Sequence, residues 1–418
     1  MAKKCKHDIS TITTTKDMIK LAKIVIKKLD IKMYKTQLYF RQGNKYIHNN
    51  RLLLQSINEL CELTRFHDTE VLHQINKFAE EVYSAEKELP ILLKNGMIIE
   101  GEFIATDTPT FSPFFLNVTY NHSAYDEHVD KFLNDITCEH KELRKTLEEI
   151  LGLILLTAKF PHHVFFFIGN GNNGKSTFLE MINNFVGELG QNLSLDAFND
   201  GTSVASLIGK LVNCTDETDG IFIDKCKGFK SLASGNTITV RPIYSQPTKV
   251  QNTATLIVST NNMPKFYDRT YGFYRRLVII PFEFEITEKI ANLDELLSTD
   301  NAKSYILNLA LKGVKSIKDN GYKITKNEIL DKALEDYKTD VDDIAVFVKE
   351  HKIDGRINRE VYDEFLDYCE EIGTYTISLP SFTSRLKDFG YVSTTTTIDK
   401  QSVRVYKKRH KTTLKLHS

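Results

Sequence analysis

The stretch Phe165-Phe166-Phe167-Ile168-Gly169-Asn170-Gly171-Asn172-Asn173-Gly174-Lys175-Ser176-Thr177 runs from an apolar segment through a glycine-rich turn into a helical pattern. From Gly169 to Ser176 the spacing is G-x-x-x-x-G-K-[ST], that of a phosphate-binding P-loop. Each residue type has a task in that chemistry. Glycines let the backbone turn successive N–H groups inward onto phosphate oxygens. The helix that begins near Phe178 offers its positive end to the same anion. Lys175 reaches the outer phosphates, and the Ser176 hydroxyl ligates Mg²⁺. The competing reading is an Asn/Gly-rich surface turn that matches by chance. The strand-like run before the turn and the amphipathic helix after it weigh against that.

Phosphoryl transfer also needs acids, a polar sensor and a cation for the developing charge. Lys210-Leu211-Val212-Asn213-Cys214-Thr215 is a short apolar run ending in Asp216-Glu217. We assign Asp216 to the metal and Glu217 to the attacking water, with Asp219 and Asp224 nearby as alternatives. A second apolar run, Ala254 to Thr260, ends at Asn261, where a side-chain amide can hydrogen-bond the attacking water or the γ-phosphate. Arg275 and Arg276 precede a third apolar run, and arginine is the residue that neutralises a transferring phosphoryl group. Taken alone, each of these is equally an ordinary surface feature.

The elements that must position these residues follow from periodicity. Apolar positions at helical spacing mark Asp17–Leu29, two helices within 51–83, and one long helical stretch over 126–157. Two β-type runs flank Asn95-Gly96, a two-residue hairpin signal. Gly228 to Asn236 reads as a helix closing on Gly235. Thr237–Arg241 reads as a strand, Pro242–Asn252 as a turn region and Ala254–Thr260 as the next strand. This gives a hairpin with Arg241, Tyr244 and Lys249 near its tip. A basic, aromatic tip suits a loop that tracks phosphates, or else is a solvated hairpin. Residues 286–335 read as helical and 323–343 as a connector. The tail then reads helix, helix, helix, hairpin, the order of a winged helix. Its basic residues, among them Arg385, Lys400, Arg404, Lys407, Lys408, Arg409, Lys411 and Lys415, form a plausible nucleic-acid footprint or a solvated tail.

At 418 residues the chain exceeds one ordinary core. Its formal net charge of zero means any nucleic-acid contact must come from local clusters. The six cysteines form no C-x-x-C pair and no zinc spacing, which fits a reducing cytoplasm better than a disulfide scaffold. Met1 to Lys6 is basic but no apolar segment follows, so neither a signal peptide nor a membrane contact is expected.

Five blocks in order carry a family likeness: Gly169–Thr177; Gly209-Lys210-Leu211-Val212 leading to Asp216-Glu217; Phe229 to Asn236; Ser259-Thr260-Asn261-Asn262-Met263-Pro264; and Gly272-Phe273-Tyr274-Arg275-Arg276. Together they resemble a superfamily 3 helicase of the poxvirus and phage/plasmid primase–helicase type. The likeness runs from about residue 90 to 410. It implies an α/β fold: an AAA+ P-loop ATPase core with a mainly helical N-terminal region and a C-terminal winged-helix-like domain. The expected domains are 1–120, a helical collar at 121–160, the ATPase at 161–325 and the winged helix at 335–418. It also implies ATP and Mg²⁺ as cofactors, a homo-oligomeric ring that is usually hexameric, and DNA as partner. Single-stranded DNA would lie in the pore, and duplex or origin DNA at the winged helix. By motif, Lys175 and Ser176 take phosphate and metal, Asp216 and Glu217 are the paired acids, and Asn261 is the sensor. Arg275 or Arg276 is the finger reaching the adjacent subunit, and the hairpin within 240–255 is the pore loop, with Lys230 a further DNA contact. Asn236 stands where relatives often carry Asp, and the chain lacks room for a full primase domain. The expectation is therefore a replication-initiation helicase of a phage, plasmid or mobile element that works with a separate primase or host proteins. The rivals are a non-unwinding origin-binding loader and a DNA-packaging or remodelling ATPase.

Overall fold

The computed structural model describes residues 14–60, 65–82, 88–107, 110–158, 162–216, 222–223, 225–242, 246–286, 290–371, 376–398 and 401–409. The chain divides into two units, Met1–Leu334 and Glu335–Ser418.

The first unit opens with α1 (Thr15–Leu29). Thr14 caps it by accepting the Asp17 N–H, and Asp30 ends it in the left-handed region at φ 47°. A meander follows that the sequence reading missed: β1 (Lys32–Tyr34), β2 (Gln37–Gln42) and β3 (Lys45–Ile47). Lys35 and Thr36 turn β1 into β2 at φ 47° and 68°, a conformation usually announced by Asn-Gly. Then come α2 (Asn50–Leu60), α3 (Arg65–Phe78) and β4 (Glu80–Glu81), which pairs with β1 in parallel. Helices α1, α2 and α3 make up most of this region, and a four-stranded sheet, ordered β3-β2-β1-β4, joins them, with Leu38, Phe40, Val25, Ile57 and Ile75 in a shared apolar core.

The expected hairpin is β5 (Ile91–Leu93) with β6 (Gly96–Ile99), extended by β7 (Glu102–Ile104). Its turn is Lys94-Asn95 rather than Asn95-Gly96, because Gly96 already pairs with Leu93. Glycine is needed there for proximity, since a Cβ would lie 2.4 Å from the Ile104 carbonyl oxygen. The single helical stretch expected over 126–157 is two helices, α4 (Glu127–Ile136) and α5 (Lys141–Ile154). Cys138 and Glu139 break it with φ of 48° and 60°.

The core of the unit is a five-stranded sheet. Its segments in chain order are β8 (Val164–Ile168), α6 (Lys175–Val186), β9 (Gly190–Gln191), α7 (Gly201–Val204) and β10 (Val212–Asp216). Next are β11 (Phe222–Ile223), α8 (Lys227–Ala233), β12 (Thr237–Val240), β13 (Thr248–Gln251), β14 (Thr255–Thr260), β15 (Lys265–Phe266), α9 (Tyr271–Tyr274) and β16 (Leu277–Pro281). The sheet order is β16-β8-β14-β10-β9 and every pair is parallel. β8, β14 and β16 read as largely apolar runs, as suits strands covered on both faces, while β10 also buries Asn213 and Thr215. After β8 the chain goes to the far edge, steps back through β10 and β14, and crosses beyond β8 to β16. That reversal puts the ligand crevice of an open parallel sheet at the C-terminal ends of these strands. Ile168, Asp216 and Thr260 end β8, β10 and β14 there.

The basic hairpin differs from expectation. β12 pairs with β13, four residues inside the segment read as a turn, while β14 belongs to the central sheet. Lys249 therefore sits on β13 opposite Thr239, not at the tip.

The remaining helices of the unit are α10 (Leu293–Leu296), α11 (Asp300–Asp319) and α12 (Glu328–Asp340), the last continuing across the unit boundary. α11 packs on α5 at glycine distance: a Cβ on Gly313 would lie 2.0 Å from the Glu148 carbonyl oxygen, and one on Gly152 2.5 Å from the Val314 nitrogen. Gly313→Ala must push the helices apart, so we expect a loss of about 1–3 kcal/mol, read as a lower denaturation midpoint. An unchanged midpoint would contradict this packing.

The second unit holds α13 (Asp343–Glu350), α14 (Asn358–Glu371), α15 (Leu379–Leu386), β17 (Tyr391–Ile398) and β18 (Gln401–Lys408). The two strands form a hairpin, and an isolated bridge joins Ile357 to Val405. Phe347, Phe365, Phe382, Leu386 and Tyr406 fill its core, with Phe365 stacked on Phe382 at 4.5 Å.

Candidate functional site

The loop between β8 and α6 is shaped by residues that few other sequences could supply. Gly171, Asn172 and Gly174 adopt φ of 89°, 50° and 84°, so two of the three left-handed positions are glycine and the third is the type that best tolerates it. Gly169 is required by crowding, because a Cβ there would meet the Asn173 amide at 2.0 Å and the Phe282 carbonyl oxygen at 2.4 Å. Side-chain amides pin the loop to the segment after β16: Asn173 donates to the Phe282 carbonyl and Asn172 to that of Ile286, each at 3.0 Å. Helix α4 closes on it from the other side, with Ile136 only 2.5 Å from where a Gly174 Cβ would stand.

Gly174 is the N-cap of α6 and supplies no side-chain cap. The N–H groups of the first turn are therefore left for an external acceptor, and the helix dipole favours an anion. Lys175 is only 5% exposed, and its ammonium donates to the Gly169 carbonyl at 2.6 Å and to Asn173 Oδ1 at 3.1 Å. These are neutral acceptors, which phosphate oxygens would outcompete.

A cavity of about 1170 Å³ opens over this loop. Gly171 through Thr177 form its floor, and Asp216, Ser259 and Asn261 line it from the neighbouring strand ends. The opposite wall comes from α4, through His128, Lys131 and Asp135, and from Phe284, Ile286 and residues within 290–295. Asp216 and Ser259 are directly paired in register. Ser259 is 1% exposed, and its hydroxyl has no partner among the described residues. An unpartnered buried hydroxyl is costly unless the cavity supplies the partner. The arrangement fits Mg²⁺, which takes few protein ligands and otherwise water and phosphate oxygens. Ser176 and Asp216 are the hydroxyl and carboxylate available to it, and no group of three metal-ligating side chains lies together among the described residues.

Sequence reasoning named the loop, Asp216 and Asn261, and the fold brings them to one cavity. Asn170 is exposed and does not line it. Glu217, Asp219, Asp224, Tyr244, Lys400, Lys411 and Lys415 lie outside the described residues. Ser259 and the α4 wall were missed. Ser259 had a signal, because it lies two residues before Asn261 and strand alternation turns both to one face.

The arginine pair separates into two roles. The Arg276 guanidinium is tied down: Nε and Nη2 donate to Ser234 Oγ at 2.9 and 2.7 Å, and Nη1 to the Gly272 carbonyl. Arg275 is exposed, and its guanidinium makes no hydrogen bond or ion pair among the described residues. Neither lines the cavity. Lys230 is held by Asp268 at 2.6 Å. Burial pushes the Asp268 pKa up, but the Lys230 ammonium and the Thr270 hydroxyl and N–H outweigh it and hold the carboxyl below its usual range. That cluster fixes the turn into α9, which precedes both arginines.

Of the other basic residues, Arg241 and Lys249 are exposed on the β12–β13 hairpin. In the second unit Arg385 is clamped between Asp342 at 2.8 Å and Asp388 at 2.7 Å. Lys407 and Lys408 are exposed at the end of β18. Among the described residues, Cys138, Cys214, Cys226 and Cys369 form no disulfide. Among the described residues, no helix is long and apolar enough to cross a membrane.

Residues 167–276 match a family described as "Family of unknown function (DUF5906)". The match starts in β8 and ends at Arg276, so it spans the loop, Asp216, the hairpin, Ser259 and both arginines. The chain is 27% identical over 179 residues to the uncoating factor OPG117 of Monkeypox virus and to that of Vaccinia virus (strain Western Reserve). Each alignment covers 39% of this chain but only 22% of the viral protein, so the likeness extends over about a fifth of those relatives. Among solved structures, the apo NrS-1 C-terminal region (305–718) aligns over 93% of this chain and 99% of its own, with a TM-score of 0.54 at 13% identity. The A form of that region aligns with a TM-score of 0.52 at 14% identity, over 93% of this chain and 98% of its own. At such identity the likeness is one of fold.

Proposed function

We propose that this chain is a ring-forming, ATP-dependent DNA helicase of superfamily 3, with an AAA+ P-loop core, acting in replication initiation of a phage, plasmid or mobile element. The observation that carries the reading is a single cavity gathering an uncapped helix N-terminus, a buried lysine, a strand-end aspartate and an orphaned serine hydroxyl, with a free arginine outside it. ATP seats its phosphates on the first turn of α6, and Lys175 exchanges the Gly169 carbonyl for the outer phosphates. Ser176 and Asp216 would hold Mg²⁺, which when bound would supply positive charge against the phosphate oxygens. Ser259 and Asn261 orient the attacking water, and Glu217 takes its proton. The oxygen–phosphorus bond forms at the γ-phosphate, the bridge to the β-phosphate breaks, and ADP leaves.

Because neither arginine faces its own chain's cavity, Arg275 serves the cavity of a neighbouring copy in a homo-oligomeric, hexameric ring. The exposed Arg241 and Lys249 put the β12–β13 hairpin on single-stranded DNA in the pore. The second unit acts as a winged helix on origin duplex, with Lys407 and Lys408 toward phosphate, while Arg385 serves its internal clamp. A separate primase or host replication proteins supply primers, in the cytoplasm of a host cell.

DNA-stimulated ATP turnover with strand displacement on a forked substrate is the test. Turnover without displacement would favour a loader. Ser259→Ala gives a narrower check. Removing an unsatisfied buried hydroxyl leaves the melting temperature equal or higher, yet losing one water-orienting hydrogen bond lowers kcat roughly tenfold. A variant that melts lower with kcat unchanged would make Ser259 a packing residue only.

A further inference from the structure

We infer that α1 carries a second nucleic-acid track, separate from the ATPase and from the hairpin. Lys16, Lys20, Lys23, Lys27 and Lys28 are all exposed on α1. The first four follow the i, i+4, i+7, i+11 spacing of one helical stripe. Like charges at i, i+3 and i, i+4 repel and destabilise an isolated helix. Acids do not relieve them. Among the described residues, the one ion pair these lysines make is Lys20 with Asp17, at the 4.0 Å limit. Midway along α1, Lys23 sits over the half-buried Phe78 ring at 5.0 Å from its centre, and Lys77 of α3 lies at 5.7 Å from the same ring. A polyanion laid along the stripe relieves this repulsion.

The dimensions suit a phosphate backbone. From Lys16 to Lys28 the helix rises about 18 Å, the axial length of about five phosphates on one strand of duplex. A membrane surface fits poorly. The apolar face of α1, with Met18, Leu21, Ala22 and Val25, is buried in its own core, and Ile24, 39% exposed, is the helix's one large exposed apolar residue. The N-terminal body is also tied to the translocation hairpin, because Lys35 donates to the Gln251 carbonyl at the end of β13 at 2.9 Å. Nucleic acid held on α1 is thus anchored to the element proposed to move it.

The test uses the full chain without nucleotide, binding labelled single-stranded and duplex oligonucleotides across a salt series. Against wild type, K16Q/K20Q/K27Q should bind roughly tenfold or more weakly. Its log–log salt slope should be smaller by about 2–3 on duplex, or about 2 on a single strand, whichever form the track takes. K16R/K20R/K27R should bind as wild type. DNA-free ATP turnover of both variants should be unchanged, while Lys175→Ala should keep the α1-dependent slope, so this inference and the ATPase reading fail independently. Affinity within twofold of wild type with an unchanged slope would overturn the proposal. So would loss of binding in the arginine variant, or a glutamine variant that loses binding only to vesicles containing phosphatidylserine.

Discussion

Lys175→Ala should lower the rate of ATP hydrolysis at least ~100-fold and abolish strand displacement with it. The lysine is the one cation inside the glycine-rich loop, and its ammonium lies 2.6 Å from the Gly169 carbonyl. Fixed cations and donors at a transferring phosphoryl group are worth roughly 2.7–4 kcal/mol of barrier each, and each 1.4 kcal/mol is about tenfold in rate. The same change leaves Asn173 Oδ1 and the Gly169 carbonyl short of a donor, which costs about 1–3 kcal/mol of stability. Lys175→Arg separates the effects, since it keeps a donor in the loop but cannot reproduce the compact ammonium. Turnover should stay low in both variants while stability recovers in the second. Normal turnover by either would remove the loop from the chemistry.

The two neighbouring arginines should behave oppositely. Arg275→Ala should leave folding and nucleotide binding intact and lower kcat roughly 10³-fold, the scale of a finger lost from a phosphoryl-transfer site. Arg276→Ala should act on the fold. It frees Ser234 Oγ and the Gly272 carbonyl from a half-buried guanidinium, at a cost of about 1–3 kcal/mol. Melting and turnover measured on both variants decide it. Arg275→Ala that melts early, or Arg276→Ala that melts normally while turnover collapses, would reverse the assignment.

Nothing in the residue types separates Arg275 from Arg276. The difference lies in Ser234, 42 positions away, which only the fold brings near. Lys230 is similar: in sequence it is a basic residue in a helix, and in the fold its charge is committed to Asp268. Where the chemistry is local, the sequence suffices. The glycine-rich loop is written in consecutive residues, and the apolar runs of β8 and β14 are legible because strands buried on both faces favour that composition. The tail elements α13 to β18 fall where periodicity puts them.

Misreadings cluster where conformation departs from residue preference. Cys138 and Glu139 break a helix in left-handed geometry without a glycine, and Lys35-Thr36 turn a hairpin in the same way. Gly96, conversely, looks like a turn residue and is a contact residue. The hairpin strand β13 is short, with Val250 its one apolar residue, so it blends into a loop pattern.

In the proposed ring, one arginine of each chain completes the phosphate cavity of the next. Mixing wild-type and Arg275→Ala chains at fixed total concentration, and measuring DNA-stimulated ATP turnover against mutant fraction, addresses this directly. A curve falling far below the straight line between pure samples is the predicted result, because one defective copy stalls a ring. A straight line would mean that each chain hydrolyses ATP alone, and would contradict the account.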